Sequence, residues 1–105
     1  MPGVVAVWTA GDIPEVPPVD FREGSIPALD AYRQPVLADG RVRYVGEPVA
    51  AVFAEDAYLA EDAAELIEVD YDPLEVVADP FEAMKPESPR VIEAQQSNVM
   101  MARVF

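Results

Sequence analysis

The sequence predicts an α+β domain with a small mixed sheet, and three features of the 105-residue chain lead to that class. Apolar runs at residues 4–8 and 49–54 have the length and composition of buried strands. Residues 57–66 repeat apolar side chains at helical spacing. The hydrophobic fraction of 51% is ample for a packed core, although 20 acidic and 7 basic residues leave a net charge of −13.

The chain opens with a predicted strand over Val4–Trp8, whose apolar side chains stand on both alternating faces. We therefore expect this strand to be covered on both sides. Residues 10–36 then carry five prolines and two glycines. Because proline removes a backbone donor and fixes φ, this stretch is predicted to be a long excursion with little regular structure. An excursion of this length favours a functional role or a contact with another surface.

A β-hairpin is predicted next, because the turn dipeptide Asp39-Gly40 separates two short extended runs at 35–38 and 41–45. Gly46-Glu47-Pro48 then interrupts the strand pairing, since proline cannot donate to a ladder. The unbroken apolar run at 49–54 is the predicted central strand.

Residues 49–72 are predicted to form a strand–helix–strand unit. Glu55 and Asp56 provide the acidic start of a helix over 57–66. After it, Ile67, Val69 and Tyr71 alternate with acidic residues, which is typical of a half-exposed strand over 67–72. A second short helix is predicted near 79–84, with Asp79 as its cap and proline in its first turn.

The chain has no cysteine and no histidine. Disulfides, cysteine–histidine zinc sites, thiol nucleophiles and histidine-dependent triads are therefore excluded. The acidic balance disfavours nucleic acid and anionic membranes as partners, because those affinities depend on lysine and arginine. No run approaches the ~20 apolar residues of a membrane span, and no targeting segment is visible. A cytoplasmic location is the default expectation.

Carboxylates are the only abundant reactive groups. Asp70 and Asp72 share one face of a predicted strand, at a separation of about 6–7 Å that suits a divalent cation or an acid/base pair. A solvated strand face is the simpler interpretation of this pair. The same holds for the acidic residues assigned to the helix, for which docking to a basic partner is the alternative: Glu61, Asp62, Glu65 and Glu68.

Glu47 lies in a rigid break between two apolar strands, where its carboxylate is either aimed at a neighbour or exposed on a bulge. The aromatic residues of the predicted strands are interpreted as core: Trp8, Tyr44, Phe53 and Tyr71. The glycines form neither a dinucleotide-binding nor a phosphate-loop pattern. Residue chemistry alone therefore predicts no catalytic, cofactor-binding or metal-binding residue in this chain.

A resemblance to a known family adds to this picture. Residues 41–55 read RVRYVGEPVAAVFAE, and residues 60–74 read AEDAAELIEVDYDPL. Together they closely resemble the a/b hammerhead domain of the molybdenum hydroxylases, the family of xanthine dehydrogenase, aldehyde oxidase and the carbon monoxide dehydrogenase large subunit. The segments 2–9, 35–38 and 97–99 are similar to other parts of that domain. The variant Gly46-Glu47-Pro48 is more similar to the carbon monoxide dehydrogenase-like and bacterial large subunits than to other members of the family.

The resemblance implies a structural role within a large subunit. In the family, molybdopterin and the catalytic glutamate belong mainly to later domains, and iron–sulfur and FAD modules supply electron transfer. No residue of this chain matches a cofactor-contacting or catalytic motif of the family. The implied partners are the molybdopterin-binding domains of the same subunit and the iron–sulfur and FAD subunits, and the isolated chain is expected to be inactive.

Residues 1–105 are accordingly interpreted as one hammerhead domain, expected to be a fragment of a larger chain because its first strand begins so near the start and its end is apolar. The alternative from a different functional class is a free-standing acidic module that binds a basic partner. A weaker alternative is a carboxylate hydrolase that uses Asp70 and Asp72.

Overall fold

A computed structural model describes residues 1–22 and 26–104. The chain divides into two compact units, Met1–Val19 with Gln34–Tyr71 (unit 1) and Asp20–Arg33 with Asp72–Phe105 (unit 2). The helices and strands, in chain order, are β1 (Val4–Trp8), a 3₁₀ helix (Ala10–Asp12), a second 3₁₀ helix (Pro27–Tyr32), β2 (Ala51–Ala54), α1 (Ala57–Glu65) and α2 (Pro80–Ala83). The α+β class is confirmed.

The sheet of unit 1 consists of β1 and β2, which pair antiparallel. Ala6 lies opposite Phe53, and Trp8 lies opposite Ala51. The register shifts between Val4 and Ala6, so the residue between them forms a β-bulge. Since directly paired residues share a face, Ala6, Trp8, Ala51 and Phe53 lie on one side of this sheet.

The expectation that β1 is covered on both sides is wrong. Val5 is 72% exposed and Val7 is 49% exposed. The reason is that α1 packs mainly against β2 and only weakly against β1. A two-stranded sheet beside one helix leaves apolar strand surface uncovered. The buried apolar residues among those described are few: Leu29, Leu37 and Ala63.

Helix α1 forms where the sequence predicts it, because its start is chemically encoded. The Asp56 carboxylate accepts a hydrogen bond from the Leu59 backbone N–H at 2.9 Å and caps the helix. Gly3 has φ of +85°, and a Cβ atom there would overlap the Leu59 side chain. This glycine therefore permits both the left-handed backbone before β1 and the close approach of α1.

Three predicted strand segments do not form. The hairpin arms at 35–38 and 41–45 are not strands, although Gly40 has the positive φ of +69° expected for its turn. Residues 67–72 are not a strand either, so the strand–helix–strand unit is present only as its first two elements. An alternating pattern makes a segment suitable for a sheet, but a strand exists only when a neighbour completes its backbone hydrogen bonds. Within the described ranges no neighbour pairs with these segments.

Unit 2 is held by polar side chains bonded to backbone. The Asp79 carboxylate caps α2, as predicted, by accepting hydrogen bonds from the N–H groups of Phe81 and Glu82 at 2.8 and 3.0 Å. The Asn98 side-chain amide donates to the carbonyls of Ala83 and Pro89 at 2.9 and 2.8 Å. Its side-chain oxygen accepts from the Val91 N–H at 2.9 Å. The end of α2, the loop at Pro89 and Val91 and the loop that carries Asn98 are thereby tied together.

Candidate functional site

The most distinctive surface feature of unit 1 is an exposed aromatic pair on the β1–β2 sheet. The rings of Trp8 and Phe53 have centroids 4.6 Å apart and planes inclined by 56°. They lie diagonally on one face, beside Ala6 and Ala51 in the register described above. Trp8 is 43% exposed and Phe53 is 42% exposed. We call these four residues the aromatic face.

The prediction that the strand aromatics are core residues is therefore wrong. Tyr44 and Tyr71 are exposed as well. Apolar periodicity identifies the side of a strand that prefers to leave water, but it does not tell whether the covering layer lies in the same chain. Adjacent exposed aromatic rings on a sheet are typical of a surface that packs against another polypeptide.

The acidic candidates are exposed. Glu61, Asp62 and Glu65 lie on the outer surface of α1, while Glu68 falls beyond the end of that helix. Asp70 and Asp72 are also exposed. No group of three or more acidic side chains in residues 1–22 and 26–104 has a geometry that would hold a metal ion. The interpretation of these carboxylates as solvated surface agrees with their positions.

Glu47 is turned inward on its own loop. Its carboxylate accepts a hydrogen bond from the Arg43 backbone N–H at 2.5 Å, and its own N–H donates to the Tyr44 carbonyl at 3.3 Å. Gly46 supplies the positive φ of +90° that this turn requires. Of the two interpretations offered for Glu47, the carboxylate aimed at a neighbour agrees with the structure and the exposed bulge does not: the half-buried carboxylate is bonded to the Arg43 backbone and stabilises the turn that carries it.

The proline-rich stretch 10–36 contains two 3₁₀ helices, and its predicted scarcity of regular structure is confirmed in outline for residues 10–22 and 26–36. Gly24 and Ser25 fall outside the described residues. In unit 1 an isolated bridge pairs Val19 with Gln34. In unit 2 Leu29 is buried, and Arg33 forms ion pairs with Asp20 and Asp30 at 3.3 and 3.1 Å.

Unit 2 contains a partly open cavity of about 190 Å³. Its lining is mostly apolar and comprises Tyr32, Val91, Ile92, Ser97, Asn98 and Met100. Ligand pockets usually have volumes of at least ~300 Å³ and several convergent polar groups. Here the amide of Asn98 is already bonded to backbone, so the cavity does not fit a pterin cofactor.

Sequence reasoning missed the organising role of Asn98. The available signal was its residue type, because asparagine side chains outside helices often bond to nearby backbone groups. Its partners, however, lie up to 15 residues away in the chain, which no local pattern indicates.

The comparisons with known proteins define the class. Residues 1–75 match the family described as "Aldehyde oxidase and xanthine dehydrogenase, a/b hammerhead domain". The chain belongs to this family. The predicted hammerhead fold and the resemblance to molybdenum hydroxylase large subunits are thus confirmed.

Two relatives show how much of the chain, and how much of their own length, the similarity covers. The chain is 46% identical over 93 residues to the carbon monoxide dehydrogenase large chain of Afipia carboxidovorans, covering 89% of this chain and 11% of that protein. It is 36% identical over 87 residues to the xanthine dehydrogenase of Blastobotrys adeninivorans, covering 82% of this chain and 6% of that protein. The chain therefore spans about a tenth or less of the length of these relatives.

A solved structure agrees with these relatives. The crystal structure of the Cu,Mo-CO dehydrogenase in its carbon monoxide reduced state superposes with a TM-score of 0.65 at 42% identity. The match covers 85% of this chain and 11% of the solved chain. No helix within residues 1–22 and 26–104 is both long and apolar enough to cross a lipid bilayer.

Proposed function

We propose that residues 1–105 are one structural hammerhead domain in the large subunit of a molybdenum-dependent oxidoreductase. The aromatic face is the observation that carries this proposal, because four neighbouring sheet residues include two large rings that remain 43% and 42% exposed. A domain whose apolar sheet surface is completed by a larger polypeptide has this appearance. Its family and its small share of the relatives' length support the same role.

The proposal assigns cofactor binding and catalysis to other parts of the enzyme. Relatives are named as a molybdenum-binding subunit and as a subunit of a dehydrogenase complex. We therefore propose molybdopterin as the cofactor of the parent enzyme, and the molybdopterin-binding domains with the iron–sulfur and FAD subunits as partners. The cavity of unit 2 does not fit molybdopterin, so no chemical step is assigned to the residues that line it. A cytoplasmic location accords with the absence of cysteine.

Deletion and restoration of residues 1–105 in the full large subunit test this role. The deleted enzyme is expected to lose assembled holoenzyme and bound molybdenum, and residues 1–105 supplied as a separate chain are expected to restore part of both. Molybdenum content and gel filtration are the measurements. Recovery of molybdopterin at near-stoichiometric occupancy with the purified 105-residue chain would contradict the proposal.

The alternative function is a free-standing acidic module for a basic partner. The net charge of −13 and the exposed carboxylates of α1 favour it. Reversing the charge of Glu61 and Asp62 separates the two functions. If the acidic surface of α1 is the functional surface, this substitution removes binding of the basic partner. If the aromatic face is the functional surface, assembly of the oxidoreductase is unchanged.

A further inference from the structure

The cavity of unit 2 has a lining that hydrogen bonds and burial hold in place. The Asn98 side chain belongs to the lining, and it bonds to the backbone of Val91 at 2.9 Å and of Pro89 at 2.8 Å. Tyr32 contributes from the second 3₁₀ helix, in which Leu29 is buried. A lining fixed in this way loses little conformational freedom when a ligand binds, which favours affinity for a small molecule.

The size of the cavity fits a single aromatic ring. An engineered apolar cavity of about 150 Å³ in another protein stays dry and binds benzene. The cavity here has a volume of about 190 Å³. It therefore has room for one ring with a small substituent, while it remains below the volume at which pockets for larger ligands begin.

The side chains of the lining favour an uncharged aromatic ligand. Val91 and Ile92 supply aliphatic surface, and Met100 supplies a thioether. The thioether sulfur and the Tyr32 ring both belong to chemical groups that make favourable contacts with aromatic rings. Among the described residues, none of those that line the cavity is charged, so an ionised ligand would lose its hydration without gaining a partner.

Two hydroxyl groups add polar capacity to this apolar lining, and they belong to Tyr32 and Ser97. The Ser97 oxygen accepts a hydrogen bond from the Val99 N–H at 3.0 Å, which leaves the hydroxyl proton as a donor. The phenolic hydroxyl of Tyr32 is both a donor and an acceptor. A ring that carries one hydroxyl group therefore matches the lining better than a plain hydrocarbon does.

We propose that the cavity of unit 2 is a binding site for a small uncharged phenol, a single aromatic ring with one hydroxyl group. Apolar contacts around the ring supply the affinity, and the hydroxyl groups of Tyr32 and Ser97 select the polar substituent. A tyrosine side chain of another polypeptide presents the same chemistry, and the test separates this source from a free phenol. The site is independent of the role proposed for the chain in a large subunit.

Titration of the full 105-residue chain with four probes tests the site, and titration calorimetry measures the affinities. The probes are phenol, cyclohexanol, benzoate and a capped Gly-Tyr-Gly tripeptide. Phenol is expected to bind about threefold or more tightly than cyclohexanol, which lacks the aromatic ring, and about tenfold or more tightly than benzoate, which is charged. The tripeptide is expected to bind about tenfold more weakly than phenol, because the cavity has room for the ring but not for the attached backbone.

Nuclear magnetic resonance locates the bound ring. The methyl resonances of Val91, Ile92 and Met100 should shift on addition of phenol, because an aromatic ring changes the magnetic shielding of the groups beside it. The methyl resonances of Val5 and Val7, which belong to the sheet of unit 1, are the internal reference and should stay unchanged.

A matched pair of substitutions connects binding to the cavity. Val91→Phe places an additional ring in the lining, so phenol affinity should fall about tenfold or more. Val99→Phe makes the same change at a residue that does not line the cavity, and affinity should stay within about twofold. The two valines are 41% and 40% exposed, so the substitutions have similar surroundings. Circular dichroism verifies that each variant is folded.

A second pair changes the preferred size of the ligand. Met100→Ala enlarges the cavity and removes the sulfur contact, so affinity for phenol should fall about threefold or more, and affinity for the two-ring compound 1-naphthol relative to phenol should rise. Met101→Ala removes the same side chain from a position outside the lining and should leave the ratio of the two affinities unchanged. General loosening of unit 2 would change the ratio in both variants.

Equal binding of phenol and benzoate would overturn the proposal. So would unchanged phenol affinity in the folded Val91→Phe variant, or methyl shifts confined to residues outside the lining. Binding of the tripeptide as tightly as phenol would overturn the assignment to a small molecule and give the cavity to a partner's tyrosine. A failure here leaves the proposed role in the large subunit intact, because that role is tested by assembly and molybdenum content.

Discussion

At the scale of single residues, the Asn98 side chain forms three hydrogen bonds to backbone in unit 2. Replacing it with alanine removes the hydrogen bonds that connect it to the Ala83 carbonyl, the Pro89 carbonyl and the Val91 N–H. With a net contribution of about 1 kcal/mol per bond, we expect a loss of about 2–3 kcal/mol in the free energy of unfolding. Urea denaturation measures it.

Ser97→Ala is the matched control for that substitution. The Ser97 hydroxyl accepts a single hydrogen bond, from the Val99 N–H at 3.0 Å, at an exposed position. Its loss should lower the free energy of unfolding by less than about 1 kcal/mol. Equal destabilisation by the two substitutions would show that Asn98 does not organise these loops.

Gly3 carries a second prediction at the residue scale. Gly3→Ala adds a Cβ at φ +85° and brings it into overlap with Leu59, so we expect a loss of about 2–3 kcal/mol in the free energy of unfolding. Gly40→Ala is the control, because φ is +69° there and no atom lies within 4 Å of the added Cβ. This control should lose only the backbone contribution of about 1 kcal/mol.

A double-mutant cycle separates the overlap from the backbone strain at Gly3. Shortening Leu59 to alanine should reduce the additional cost of Gly3→Ala to a value near that of Gly40→Ala. If the cost of Gly3→Ala is the same with leucine or alanine at position 59, the close approach of β1 and α1 plays no part in stability.

At the scale of elements, the capping of α1 predicts a measurable contribution from Asp56. Asp56→Ala removes the acceptor of the Leu59 N–H and should lower the free energy of unfolding by about 1 kcal/mol. Asp56→Asn keeps a capping oxygen, so it should lower the free energy of unfolding by only a few tenths of a kcal/mol. Thermal unfolding followed by circular dichroism at 222 nm checks both. A larger loss for the asparagine variant would contradict the capping role.

Local chemistry explains which elements the sequence can predict. Helices α1 and α2 each begin after an aspartate whose carboxylate caps the first turn, so their signals lie within a few residues. The strand β1 is a short run of apolar residues that includes three valines. The two helices appear within a residue or two of their predicted bounds because the contacts that determine them are local. The strand β1 also has its predicted bounds, although β2, which pairs with it, is distant in the chain.

Elements that depend on distant partners are predicted less well. The alternation in 67–72 and in 41–45 suits a strand, yet neither segment has a neighbour with which to form a ladder in the described residues. The same reasoning applies to Trp8 and Phe53, whose hydrophobicity predicted burial. Sequence indicates that a side chain favours an apolar environment, but the polypeptide that provides it is decided by tertiary contacts.

At the scale of the whole molecule, the excess of hydrophobic residues over buried ones connects fold and function. Hydrophobic residues make up 51% of the chain, but few of them are buried among the described residues. In a chain of 105 residues that matches about a tenth or less of each relative's length, this excess is expected if apolar faces are completed by further polypeptide. The aromatic face is one place where exposed apolar side chains lie together on a regular element.

Substitutions in the aromatic face therefore have different consequences in the chain alone and in the parent enzyme. Trp8→Ser removes one half-exposed ring contact with Phe53, so the isolated chain should lose about 1–2 kcal/mol in the free energy of unfolding. In the full large subunit the same ring would lie at the centre of an apolar contact, where truncation costs about 2 kcal/mol or more, and the assembled fraction should fall by more than about tenfold.

Tyr58→Ser is the matched control, because this tyrosine is 82% exposed on α1 and should change neither quantity by more than about 0.5 kcal/mol. Gel filtration with molybdenum analysis measures assembly, and 1-anilinonaphthalene-8-sulfonate fluorescence should decrease in the isolated Trp8→Ser chain as its apolar surface shrinks. Normal assembly of the Trp8→Ser large subunit, with normal molybdenum content, would show that the aromatic face is ordinary surface and that the large subunit is completed elsewhere.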